Sequence, residues 1–196
     1  MVNEYTAHQK KENEKLAAYH CPRYEELPKI DVYMDQLIGI LEEYLTPFEI
    51  PGEEKTITAT MVNNYVKQKV IAPPKNKKYS KSHIVYLVVI GVLKNVLSIS
   101  DIGNLIKMQT RQYSLSRAYN FFAEELESVL NVTFGARDFA EANSKKERTN
   151  LSKLVRSALL SFANNVYVKK NIYYMLQDQQ RKAEKAEKTE KAETEK

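Results

Sequence analysis

Apolar residues recur at helical spacing along most of this 196-residue chain and predict an all-α protein. The predicted helices begin near residues 31, 59, 80, 100, 112 and 146, and the last one extends to about residue 180. Short polar side chains satisfy the free amides at a helix start, so we expect Asp31, Thr58 and Ser80 to act as N-caps. Two prolines and a glycine in residues 46–57 predict a loop between the first two helices.

The most apolar stretch is "IVYLVVIGVL", residues 84–93. It is too short to span a bilayer, which takes about 20 residues, and we expect a buried core element and no membrane partner. We favour a helix, and the β-branched residues leave a buried strand as the alternative.

The polar N-terminus shows no signal peptide, and the single cysteine, Cys21, fits a reducing compartment. These features predict a cytoplasmic protein.

The predicted helix at residues 59–69 has two chemically different faces. One face gathers the apolar residues, which we expect to point inward: Ala59, Met61, Val62, Tyr65 and Val66. The other face gathers Thr60, Asn63, Asn64, Lys67 and Gln68. It contains no carboxylate, and asparagine and threonine are poor helix formers, so this composition costs helix stability without a structural return. Asparagine can bond adenine and lysine can reach guanine or phosphate, so this face predicts nucleic-acid contact; an ordinary solvated face is the alternative.

The formal net charge of +5 is unevenly distributed. Between Lys55 and Ala123 there are eleven basic residues and one acidic residue, Asp101. Such a concentrated positive segment attracts polyanions. We predict that lysines in and after the loop that follows Pro74 hold phosphates, which position a protein without specifying sequence: Lys75, Lys77, Lys78 and Lys81.

Three rings near this segment have two interpretations each. Tyr65 and Tyr79 either give a hydroxyl to a phosphate or pack in the core. His83 either contacts a phosphate or lies at the surface near a helix start.

The stretch "MVNNYVKQKVIAPPKNKKYSKSHIVYLVVIGVLKNVLSISDIGNLI" resembles the DNA-binding domain of MerR-type regulators. The matching positions are Tyr65, Val70, Ile71, Pro73, Tyr79, Leu87, Ile90, Leu93 and the run from Ser98 to Ile102. Together with "LPKIDVYMDQLIGILEEYL", it is similar to a family of small MerR-like bacterial proteins catalogued as a domain of unknown function, over about residues 25–130. The resemblance implies a winged helix-turn-helix fold and sequence-specific binding of double-stranded DNA in transcription regulation.

The chain departs from that family pattern at three places. Asn63 and Asn64 stand where the pattern has Arg-Tyr, and Lys69 stands where it has glycine. The loop at residues 46–57 is longer than the three or four residues of a tight helix-turn-helix. The effector-binding cysteines of the metal sensors in the broader superfamily are absent.

The sequence predicts four regions. They are a polar N-terminal arm at 1–27, either loose or a short helix; a MerR-like DNA-binding domain at 28–110; a C-terminal helical region at 111–180 for dimerisation or effector binding; and a charged low-complexity tail at 181–196.

An apolar stripe on the last helix predicts either folding back on the domain or pairing with a second copy, and we expect a homodimer. The stripe comprises Leu151, Leu154, Val155, Ala158, Leu159, Phe162, Val166, Ile172, Tyr173 and Leu176. Phe121 and Phe122 could line a cavity for an unidentified small-molecule effector, which the sequence leaves open.

Residues for catalysis or metal binding are not grouped in any recognisable motif. Only three histidines occur, and the pair His20-Cys21 has no further ligand at a suitable spacing. We therefore expect no enzyme activity and no cofactor.

The favoured function is a dimeric DNA-binding regulator. The alternative is a helical adaptor whose basic face binds an acidic protein, and RNA binding is disfavoured because the helix at 59–69 lacks exposed aromatic rings.

Overall fold

The computed structural model describes the backbone of residues 7–135 and 149–194, and the side chains of 8–135 and 149–184. Within these ranges the chain forms seven α-helices and no strand longer than a single bridge, which confirms the all-α prediction. The helices are α1 (Ala7–Ala17), α2 (Met34–Leu45), α3 (Ala59–Lys67), α4 (Lys81–Leu93), α5 (Ile99–Gln112), α6 (Leu115–Phe134) and α7 (Asn150–Thr194). A short 3-10 helix, Thr46–Phe48, follows α2.

Helix α4 lies at the centre of the core. Ten of its thirteen residues are buried, because apolar side chains occupy all of its faces. A helix of this kind must be covered on every side, and α2, α5 and α7 pack against it. The helix prediction for residues 84–93 is therefore confirmed, and the strand alternative is wrong. In the described ranges, no helix combines the length and the apolar character that a bilayer span requires.

Gly91 sets how closely α2 approaches α4. A Cβ atom at this position would lie 2.5 Å from Leu45 Cδ1 and 3.5 Å from Ile57 Cγ1. Leu45 and Ile57 are both buried, so a side chain added at Gly91 would force the Leu45 side chain to shift within the core. The missing side chain therefore allows the end of α2 and the segment before α3 to pack directly on α4.

Helix α7 folds back on the domain over its first half. Its buried residues Val155, Leu159, Phe162 and Val166 belong to the main core, and α6 is its chief packing partner. The buried Arg156 donates a hydrogen bond to Glu125 Oε2 at 2.8 Å and so ties the two helices together. The fold-back alternative therefore holds for this half of the predicted stripe.

Several residues that were predicted to point inward are exposed. Periodicity placed Leu154, Ile172 and Leu176 in the α7 stripe, but about half of each side chain is accessible. Ala59 is likewise exposed. These residues are exposed because each lies at the edge of the buried face of its own helix, or past the end of the neighbouring helix that covers that face. The helix α7 starts at Asn150, whereas residues 146–148 of its predicted start lie outside the described residues.

The N-terminal segment packs on the domain. Of the two alternatives for this arm, a short helix forms, and α1 packs against α6. Cys21 and Leu27 are buried beyond it. Glu127 on α6 holds the segment by accepting hydrogen bonds from the Cys21 amide at 2.9 Å and from Arg23 Nη1 and Nη2 at 2.8 and 2.6 Å.

One of the three predicted N-caps is wrong. Thr58 accepts a hydrogen bond from the Met61 amide, and Ser80 forms a capping box with His83, as expected for caps. Helix α2, however, is capped at Tyr33 and not at Asp31. The reason is that Val32 pairs with Tyr79 as an extended residue, which delays the start of the helix.

A matched pair of glycine substitutions tests the packing of α2 on α4. We expect Gly91→Ala to destabilise the protein by about 1–3 kcal/mol, because the added methyl group overpacks against Leu45. Gly39→Ala on α2 is the control, since nothing lies within 4 Å of its Cβ position. It should stabilise the protein by about 1 kcal/mol through helix propensity. Urea unfolding measures both, and a stabilised Gly91→Ala variant would contradict this packing.

Glu127 should make stability depend on pH. Burial raises the pKa of Glu127, but the hydrogen bonds from Arg23 and the Cys21 amide, with the charges of Arg23 and His20, outweigh burial and hold the pKa below its usual range. The stabilisation is therefore present above the usual glutamate pKa of about 4.3 and is lost as the pH falls through the lowered folded value.

We expect Glu127→Gln to cost about 1–2 kcal/mol at pH 7 and progressively less toward pH 3, as measured by urea unfolding. Glu124→Gln is the control on an exposed position of the same helix and should cost nothing measurable. A Glu127→Gln cost that does not change between pH 7 and pH 3 would show that the carboxylate charge contributes nothing.

Candidate nucleic-acid interface

Helix α3 presents one face to the core and the other to solvent. Val62 and Tyr65 are buried, with 0% and 7% of their surface exposed, and they fix the orientation of the helix. Four residues on the opposite side are exposed and form what we call the α3 polar face: Thr60, Asn63, Asn64 and Lys67. The structure thus places these four predicted contact residues together on one open surface, as the sequence pattern indicated.

The chain turns sharply after α3 through a left-handed residue. The Val70 amide donates to the Tyr65 carbonyl at 2.9 Å, and the Lys69 amide donates to the Val66 carbonyl at 3.0 Å, which is a Schellman motif. Lys69 has φ 57°, a conformation that glycine adopts without strain. The MerR-type pattern that the sequence resembles has glycine at this position, and this backbone geometry suits glycine. Its replacement here adds an exposed lysine beside the α3 polar face, a contribution that the sequence-based site residues omitted.

A two-residue hairpin carries three of the four predicted phosphate-binding lysines. The Lys75 and Lys78 backbones pair in both directions at 3.1 and 2.9 Å. Asn76 and Lys77 between them have φ values of 51° and 61°, as in a type I′ turn. We call residues 75–78 the basic hairpin. Lys75 and Lys77 are exposed, whereas Lys78 is half-buried with its Nζ 5.1 Å from the centre of the Tyr33 ring.

The basic hairpin is anchored by Tyr79. The Val32 amide donates to the Tyr79 carbonyl at 2.9 Å, and the Tyr79 amide donates to the Val32 carbonyl at 2.8 Å. These bonds connect the hairpin to the residues just before α2. The hairpin therefore has a fixed place relative to two helices, α2 and α4.

His83 is buried, so both the phosphate-contact and the surface alternatives for it are wrong. Its Nδ1 accepts the Ser80 amide hydrogen at 3.0 Å, which requires the other nitrogen, Nε2, to carry the proton. Nε2 lies 3.1 Å from the Ala72 carbonyl and can donate to it. The imidazole therefore joins the start of α4 to the segment between α3 and the basic hairpin.

Tyr65 and Tyr79 are packed in the core. Only 7% and 3% of their surfaces are exposed, and burial raises the pKa of both hydroxyl groups. This burial agrees with packing in the core, the second of the two interpretations. We leave both tyrosines out of the proposed contact surface.

Several lysines in the basic segment have partners within the protein. Lys81 Nζ donates to the Tyr24 carbonyl at 3.0 Å and lies 4.8 Å from the centre of the Tyr24 ring. Lys55 forms an ion pair with Glu42. By contrast, no carboxylate of the described residues pairs with four exposed lysines on α3, its C-terminal turn and the hairpin: Lys67, Lys69, Lys75 and Lys77. These four lysines therefore carry unneutralised positive charge on or next to the α3 polar face and the basic hairpin.

The two phenylalanines predicted to line an effector cavity border different cavities. Phe122 borders an apolar cavity of about 40 Å³ between α4, α5 and α6. Phe121 borders another of about 160 Å³ beside Tyr113 and Ser152. Both are smaller than the 300–1,000 Å³ of typical small-molecule sites.

Cys21 is placed as a structural residue. Its side chain is fully buried, and its Sγ lies 4.0 Å from the Tyr119 hydroxyl. Burial raises the pKa of the thiol to about 12, so it is protonated near neutral pH. Within the described part of the chain, no three histidine, cysteine or acidic side chains come together as metal ligands.

Comparison with known proteins gives a family without an assigned activity. The family model described as "Domain of unknown function (DUF1836)" matches residues 22–122, a region that contains α2, α3, the basic hairpin, α4 and α5. No curated protein and no solved structure matches the chain. These findings support the predicted family but not its MerR-like assignment. Because the match extends over just more than half of the sequence, the protein belongs to the DUF1836 family.

Proposed function

We propose that this protein is a sequence-specific DNA-binding transcription regulator in which α2, α3 and the basic hairpin act as a winged helix-turn-helix. The observation that carries the proposal is the exposed, carboxylate-free α3 polar face, which includes Lys67, together with three more unneutralised lysines: Lys69, Lys75 and Lys77. In this proposal Asn63, Asn64 and Thr60 contact base edges in the major groove. Lys75 and Lys77 hold phosphates on either side of the contacted bases.

The dimensions of α3 are compatible with a DNA groove. Nine residues at 1.5 Å per residue give a helix about 13 Å long. The major groove is about 12 Å wide and admits one α-helix. Because the opposite side of α3 is held in the core by Val62 and Tyr65, the amide side chains start from a fixed support.

The second candidate is a protein adaptor that binds an acidic partner through the same lysines. The unneutralised charge on the basic hairpin favours either partner equally. The two asparagines favour DNA, because amide groups on a helix match base edges and add little to contact with a carboxylate surface. DNA is therefore the partner we propose, and a sequence preference is the property that separates the candidates.

We also propose that the part of α7 that follows Val166 pairs two copies of the chain. Four apolar side chains there are each about half exposed: Val168, Ile172, Met175 and Leu176. At 100° per residue they lie within about 100° of one another on the helix, so they form a single stripe. An apolar stripe on a solvent-exposed helix requires a partner, and DNA regulators commonly use two copies to bind two half-sites.

Two substitutions should separate base recognition from phosphate binding. We expect Asn63→Ala to reduce discrimination at one base pair by about 1–3 kcal/mol, because a bidentate amide contact is lost. Lys77→Ala should weaken binding to all duplexes alike and reduce the slope of log K against log salt by about 0.9. Fluorescence anisotropy with the preferred duplex and its single-pair variants, at 50–200 mM salt, measures both.

Asn164→Ala and Lys153→Ala, at exposed positions on α7, serve as matched controls and should change nothing. Base recognition by α3 would be refuted if Asn63→Ala and Lys77→Ala weakened every duplex to the same extent.

The oligomeric state tests the α7 stripe. We expect the chain, 22.7 kDa as a monomer, to sediment as a dimer at micromolar concentration. The double substitution Ile172→Glu and Leu176→Glu should give a monomer with unchanged helical content, because both side chains are exposed in one copy. Ile30→Glu is the control at an exposed apolar residue outside α7. A wild-type chain that sediments as a monomer, or a double variant that stays dimeric, would exclude this interface.

A further inference from the structure

A groove of about 950 Å³ opens between α1, the segment that follows α2, and α7. No residue of the α3 polar face or the basic hairpin lines it. Its volume is in the upper part of the range of small-molecule binding sites, 300–1,000 Å³. The walls combine charged residues of both signs with aromatic rings. It is therefore a separate candidate site, and its chemistry differs from that of the proposed DNA surface.

Lys170 on α7 is the most informative residue of the groove. Only 7% of its surface is exposed, yet it lines the groove and makes no ion pair or hydrogen bond with any residue that the structure describes. Burial lowers the pKa of its amine, and the charge of Glu12 opposes this effect. Glu12 is already paired with Lys15 at 2.5 Å. Because this ammonium group has no ion-pair partner among the described residues and borders the groove, it is suited to pair with an anionic group that enters there.

The opposite wall carries negative charge. Glu42 and Glu53 in this wall have lysine partners, Lys55 and Lys169. The exposed Glu43 has no such partner among the residues that the structure describes. A ligand with several negative charges would be repelled by this wall. A ligand with one anionic group and one ammonium group is complementary to Lys170 and Glu43 together.

Aromatic side chains in the groove lining suit a compact organic body. Tyr173 and Tyr174 lie edge to face with ring centres 5.6 Å apart, and His8 packs against Tyr174 at 5.5 Å. The Tyr19 hydroxyl donates to the Tyr44 carbonyl at 2.9 Å, which orients this ring. These rings offer apolar faces at low entropic cost, because each has few rotatable bonds.

We propose that this groove binds a small zwitterionic molecule. Its carboxylate or phosphate pairs with Lys170 Nζ, its ammonium group pairs with Glu43, and its carbon skeleton lies against Tyr173 and Tyr174. This assignment does not rest on the proposed DNA binding, and it is tested without DNA.

The test is calorimetric titration and thermal unfolding of the full chain with defined probes. L-phenylalanine, L-leucine and the dipeptide Gly-Phe supply a carboxylate, and O-phosphoethanolamine supplies a phosphate. We expect at least one of them to bind and raise the Tm. Binding of a carboxylate probe or of the phosphate probe shows which anionic group pairs with Lys170. N-acetylation or amidation of the bound amino acid, or loss of the ammonium group from the bound phosphate, should weaken binding by about tenfold, because each change removes one charge.

Substitutions link the binding to the two charged residues. Lys170→Met should reduce affinity by about tenfold or more. It should leave the Tm of the free protein unchanged or higher, because removing the cost of burying the amine outweighs the lost attraction to Glu12. Glu43→Gln, at an exposed residue, is a second variant that preserves the fold and should also weaken binding. Lys153→Met is the matched lysine control on α7. The proposal is overturned if no probe binds, if Lys170→Met binds as well as wild type, or if acetate or inorganic phosphate binds as tightly as the zwitterions.

Discussion

The burial of helix α4 is the constraint on which the rest of the structure depends. Apolar side chains occupy all of its faces, and each aliphatic side chain that leaves water contributes about 1.5–3 kcal/mol. No single neighbouring helix can cover such a surface, so α2, α5 and α7 surround it. Gly91 lets Leu45 of α2 and Ile57, just before α3, approach closely. The position of α3 follows from this packing.

Three sets of contacts within the protein fix the position of the candidate DNA surface. Val62 and Tyr65 hold one face of α3 in the core, the Val32–Tyr79 backbone pair anchors the basic hairpin, and His83 connects the start of α4 to the Ala72 carbonyl. The exposed amides and lysines therefore project from a fixed frame. Recognition of base edges requires this kind of preorganised support, because side chains that are misplaced by about 1 Å lose their hydrogen bonds.

The sequence predicted what depends on local periodicity. The helices, the two faces of α3 and the caps Thr58 and Ser80 follow from spacing and residue type, and the structure agrees with them. Features that depend on distant partners were not predictable. Asp31 lost its expected capping role because Val32 pairs with Tyr79, 47 positions along the chain.

Partners distant in sequence also explain the other differences. Lys81 binds the Tyr24 carbonyl, and Lys170 faces a groove whose walls come from three separate parts of the chain. Periodicity shows that Ile172 and Leu176 share a face, but it does not show where the cover provided by α6 ends.

The central claim to be tested is that the α3 polar face recognises base pairs. Selection of bound duplexes from a random DNA library by the full chain measures this most directly, with the Asn63→Ala, Asn64→Ala double variant run in parallel. The prediction is that the wild-type chain enriches one consensus and that the double variant retains duplexes without it. Recovery of unenriched sequences by the wild-type chain, or of the same consensus by both proteins, would contradict it.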